Sequence, residues 1–64
     1  MDIMNEISKD DMQINDRVCW GNNIDHGFGR VLKINRVTIK VSDEKFASDI
    51  IYRVDKGLIY RVLR

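Results

Sequence analysis

Between Gln13 and Arg64 the chain carries five short runs suited to extended backbone, and no proline interrupts any of them. They read "INDRVCW", "GRVLKINR", "VTIKV", "DIIYRV" and "LIYRVL". In "VTIKV" Val37, Ile39 and Val41 share one face while Thr38 and Lys40 share the other, the period of two that marks a half-buried strand. "INDRVCW" likewise separates Val18 and Trp20 from Arg17 and Cys19. Short strands laid out flat leave unpaired edges that invite aggregation, and closure removes those edges. The expected fold is therefore all-β: a small five-stranded SH3-like or Tudor-like barrel over residues 13–64. Its expected core is Val18, Trp20, Val31, Ile34, Val37, Ile39, Val41, Ile51, Val54, Leu58 and Val62.

The connections are set by turn chemistry. Asn35 suits a tight link after Ile34 because asparagine tolerates positive φ. "SDEKFAS" reads as a turn. Ile51-Tyr52-Arg53-Val54 recurs as Ile59-Tyr60-Arg61-Val62, too short a period for stacked repeats. The "DKG" between the copies fits either a hairpin, with Gly57 at positive φ, or a one-turn 3₁₀ link. Residues 1–12 are expected to be a flexible acidic leader, or one or two helical turns through Ile3, Met4 and Ile7.

At 64 residues the chain makes one domain with a small stability margin. It has no run of about 18 apolar residues and no signal-peptide pattern, so no membrane span and a cytoplasmic location are expected. Cys19 is the lone cysteine, which excludes an internal disulfide and leaves no companions for a zinc site. No cofactor or metal is expected. Four acids against Lys9 give residues 1–12 a balance of −3, so the remainder carries +4 within a formal net charge of +1. A mildly basic body is compatible with a polyanion.

"RVCWGNNIDHGFGRVLKI" holds Gly21, Gly27 and Gly29, but neither a GxGxxG nor a GxxxxGK[ST] pattern, and the residues after Gly29 are strand-like. The glycines are therefore expected to form a long loop that allows a bend and a close backbone approach. The wider stretch resembles the opening of the hypervirulence-associated Tudor-like domains: Gly-Asp-x-Val-x-Trp, a glycine-containing loop, then Gly-x-Val and an alternating strand. Asp16, Val18, Trp20, Gly29, Val31 and Ile34 fit that pattern, and Asn15 stands where the family has glycine. KOW-type modules share a vaguer form of it. The resemblance implies an SH3-like binding module. "DIIYRV" also resembles the Val-Gln-Ile-Tyr signature of plasmid-type dihydrofolate reductases at Ile51 and Tyr52, with Ile50 at the glutamine position.

Tudor-type binding relies on ring faces that attract a methylated cation. The rings here are Trp20, Phe28, Phe46, Tyr52 and Tyr60, with Trp20 expected in the core. Nucleic-acid binding would use Arg30, Lys33, Arg36, Lys40, Arg53 and Arg61 with stacked rings. His26 reads as a solvated loop residue, and a Cys19–His26 nucleophile pair would require the loop to fold back. The chain is thus expected to be a non-enzymatic binding module. Its expected ligand is a protein, as for small inhibitors carried by phages and mobile elements, with DNA or RNA as the alternative. A plasmid-type dihydrofolate reductase-like enzyme, implied by the Ile51-Tyr52 resemblance, is a remote alternative. Phe28, Arg30, Lys33, Arg36, Tyr52 and Arg53 form the expected contact set, in a monomer or homodimer.

Overall fold

A computed structural model describes residues 5–21, 26–44 and 49–64. Six strands form one antiparallel sheet: β1 (Glu6–Ile7), β2 (Arg17–Gly21), β3 (His26–Ile34), β4 (Thr38–Asp43), β5 (Ile51–Asp55) and β6 (Ile59–Leu63). Their spatial order is β1-β6-β2-β3-β4-β5. The all-β expectation holds. The expected count of five does not, because the stretch read as a leader contributes β1, which pairs with β6 at Glu6–Leu63 and Ile7–Val62. Nor is the sheet closed: β1 and β5 form its two borders and do not pair.

An open sheet of this size still hides a core by curling. Flat, six strands would make a slab about 24 Å wide and one sheet thick. The molecule instead measures 28 × 26 × 24 Å. Val18, Val31, Ile39, Val41, Val54, Ile59 and Val62, from five of the strands, gather into one buried cluster. Ile7, Met12, Trp20 and Ile34 pack against it.

Two one-residue bulges accomplish the curl. Val31 pairs with Val41 but Lys33 with Lys40, so Leu32 is extra on β3. Cys19 pairs with Arg61 but Trp20 with Ile59, so Tyr60 is extra on β6. A bulge bends its strand and resets which side chains face inward. That is how Val31 and Ile34, and likewise Ile59 and Val62, face one core from an odd spacing.

The same phasing corrects the expected core. Val37, Ile51 and Leu58 are exposed, at 65%, 59% and 42%, and Ile59 is buried in their place. Val37 precedes β4, Leu58 belongs to a 3₁₀ turn at Lys56–Leu58, and Ile51 cannot face inward if Val54 does. That turn is the link between β5 and β6, which do not pair with each other. Among the described residues only Asn15 (φ 78°) and Gly21 (φ 149°) have positive φ, so Asn35 and Gly57 do not use the freedom expected of them. Asn15 takes the left-handed conformation that glycine and asparagine accept most readily.

The leader residues within the described range are tied down. Asn5 and Arg64 exchange backbone bonds at 2.9 Å in both directions, and a 3₁₀ turn spans Lys9–Asp11. Buried Asp16 holds the junction. It accepts from Arg64 Nε and Nη2, each at 2.9 Å, and from the Gln13 amide at 2.7 Å. No described helix is long and apolar enough to cross a membrane.

Candidate functional site

The glycine stretch is strand rather than loop, a correction that begins at His26, where β3 starts. Its glycines serve a close approach. A Cβ on Gly27 would overlap the Trp20 indole, and one on Gly29 would overlap the Ser42 carbonyl. Trp20 therefore lies across bare backbone. Its ring centroid sits 5.8 Å from that of Tyr52, with the planes tilted by 57°. These two rings make an aromatic corner on the inner side of the sheet. Phe46, a third candidate ring, lies outside the described residues.

The outer side of β3, β4 and β5 is cationic. Lys33 stands directly opposite Lys40, and Lys40 directly opposite Arg53, forming one row across three strands. All three are exposed. Arg30 lies one step along the same face of β3, opposite Ser42, with half-buried Phe28 beyond it opposite Cys19. Arg36 is exposed in the turn between β3 and β4, and its carbonyl accepts from Lys56 Nζ at 3.2 Å.

Of the expected contact set, Phe28, Arg30, Lys33 and Arg53 thus share the outer face, with Arg36 at its end. Tyr52 is on the other side, opposite Val41 and beside Trp20. Lys40, left out of that set, is the centre of the row. The signal for it was in the sequence: "VTIKV" points Lys40 outward, and the short turn after Ile34 sets it against Lys33.

Acids border this row rather than interrupt it: the Glu44 amide donates to the Phe28 carbonyl at 3.0 Å, and Asp55 lies on the same side of β5 as Arg53. Arg61 Nε is 3.1 Å from Glu6, and Arg64 is held bidentately by Asp16. Arg17 Nε lies 3.0 Å from Glu44, a close ion pair without hydrogen-bond geometry. The Arg64 bond is the main reason the Asp16 carboxyl titrates below the ordinary carboxylate range; burial opposes it. Among the described residues no acid pairs with Arg30, Lys33, Lys40 or Arg53.

Cys19 is half-buried, and desolvation pushes its thiol up while Arg61 opposes the shift, so the thiol stays protonated at neutral pH. His26 packs edge-on against Tyr60, with centroids 6.5 Å apart. It stands opposite Gly21, and Cys19 stands opposite Phe28. Among the described residues no group of three His, Cys, Asp or Glu side chains is placed to hold a metal ion. Compared with known proteins, the chain matches no family model, no curated protein and no solved structure.

Proposed function

We propose that the chain is a non-catalytic, cytoplasmic binding module that holds a single nucleic-acid strand on the outer face of β3, β4 and β5. The observation that carries this is the Lys33–Lys40–Arg53 row. Like charges directly opposite on neighbouring strands are destabilising, and here three stand in line with no described acid between them. Solubility needs cations on the surface but does not need them opposed. A phosphate backbone laid across the row converts that repulsion into attraction and releases counterions. Phe28, beyond Arg30 on the same face, supplies a ring against which a base can stack.

In this proposal the sheet is an open variant of the SH3-like, Tudor-like arrangement. β2 to β5 meander in order, and β6 returns beside β2 after a single 3₁₀ turn. In this reading the Trp20–Tyr52 corner is mainly structural, since the indole also packs against the core.

Fluorescence anisotropy with labelled single-stranded DNA and RNA, between about 50 and 200 mM salt, tests the proposal. Wild type is expected to bind with a steep salt dependence. The variant Lys33→Gln/Lys40→Gln/Arg53→Gln is expected to have a log–log slope shallower by about 2, from three lost phosphate contacts. An unchanged slope, or no binding at the lower salt, overturns the assignment.

A further inference from the structure

The border strand β5 is five residues long, all but Val54 exposed, and among the described residues no strand pairs with its outer side. The opposite border, β1, is only two residues long. Backbone bonding alternates along an antiparallel ladder. The Asp43 amide donates to the Ile50 carbonyl at 2.8 Å, and the Lys56 amide to the Val37 carbonyl at 2.9 Å. These bonds bracket the β4–β5 pairing. By alternation Tyr52 and Val54 turn their backbone groups to β4, while Ile51, Arg53 and Asp55 turn theirs to the free edge. Such a row is a template for another strand.

We propose that the free edge of β5 accepts an extended segment of a protein partner, patterned basic–apolar–acidic–apolar–apolar, as a seventh, antiparallel strand. Charge selects the occupant. The residue opposite Arg53 would extend the Lys33–Lys40–Arg53 row, so it is Asp or Glu. Its two neighbours fall on the inner side, next to Tyr52 and buried Val54, and are apolar. The residue opposite Ile51, which is 59% exposed, is apolar as well, and the one opposite Asp55 is basic. A second copy of the chain is a worse fit. The antiparallel register that uses all five residues sets Arg53 against Arg53 and lengthens the like-charge row to six cations.

Strand addition engages the backbone edge of β5 and shares only Arg53 with the nucleic-acid face, so either can stand without the other. Its test is amide hydrogen exchange by NMR on the full chain, titrated with a soluble peptide centred on Lys-Val-Glu-Val-Ile. Slowed exchange at Ile51 and Arg53 is expected. N-methylation of the peptide's Glu and Ile, whose amides would meet the edge, should abolish binding, whereas N-methylation of its two Val residues should not. Replacing the Glu by Lys should weaken binding about tenfold, a loss near 1.4 kcal/mol. Three results overturn the proposal: unchanged exchange at those amides, equal binding by both N-methylated peptides, or concentration-dependent protection without peptide, which would identify a second copy as the occupant. Failure of oligonucleotide binding moves none of these readouts.

Discussion

The Trp20 indole and the backbone of β3 are fitted to each other through a missing side chain. Gly27 has no Cβ, and the ring occupies that space. Gly27→Ala is expected to cost about 2 kcal/mol by overpacking. Because Trp20 is the only tryptophan, a shift in its fluorescence should accompany the loss. An alanine variant with unchanged stability and emission would show that the indole sits elsewhere. Asp16 works through charge instead. Its carboxyl is depressed in the folded chain by Arg64, so the stability it supplies is full above its unfolded value of about 3.9. That stability is lost as pH falls through the lower folded value. Asp16→Asn should cost about 2 kcal/mol at pH 7. The gap in melting temperature between wild type and variant should narrow below about pH 4. A gap independent of pH would assign Asp16 a purely steric role.

At the scale of elements, the link between β5 and β6 decides the topology. Asp55 accepts from the Gly57 amide at 2.8 Å and so caps the 3₁₀ turn that carries the chain from one border of the sheet to β6, beside β1. Asp55→Ala is expected to cost about 1 kcal/mol, or about 5 °C in a domain this small. Asp55→Asn should retain most of the stability. Equal melting temperatures for wild type and Asp55→Ala would remove the cap from the account. The repeated Ile-Tyr-Arg-Val reads as two equivalent strands, yet the structure uses the copies differently. Val54 and Val62 are buried in both, but Ile59 is buried where Ile51 is exposed. The bulge at Tyr60 makes the difference, since it is created by pairing with β2 and has no counterpart in β5.

For the whole molecule, the distribution of charge matters more than its sum. A net charge of +1 conceals a face whose cations are unpaired among the described residues, while Arg17, Arg61 and Arg64 lie against acids. If the row repels itself, wild type should gain stability as salt rises from about 0.01 to 0.15 M, where the Debye length falls to about 8 Å. Lys33→Gln/Lys40→Gln/Arg53→Gln should be more stable at low salt by about 1 kcal/mol and nearly indifferent to salt. A triple variant less stable than wild type at low salt would mean that the row is not strained.

Composition and a period of two determined the all-β class, the positions of β2 and β4 to β6, the second half of β3 and most of the core, because alternation along a strand is a local property of neighbouring residues. The outward direction of Lys40 and Arg53 was fixed in the same way, whereas Lys33 faces outward because the bulge at Leu32 resets the alternation from Val31. Tertiary structure alone decided that residues 6–7 add a sixth strand, that the sheet stays open at β5, and that Val37, Ile51 and Leu58 face solvent while Ile59 does not. It also decided that Tyr52 and Arg53 serve opposite sides of the sheet, and that three cations scattered over twenty-one residues fall into one row. These outcomes depend on cross-strand register and on where a bulge inserts an extra residue. Register is a relation between segments distant in the chain, and no single segment encodes it.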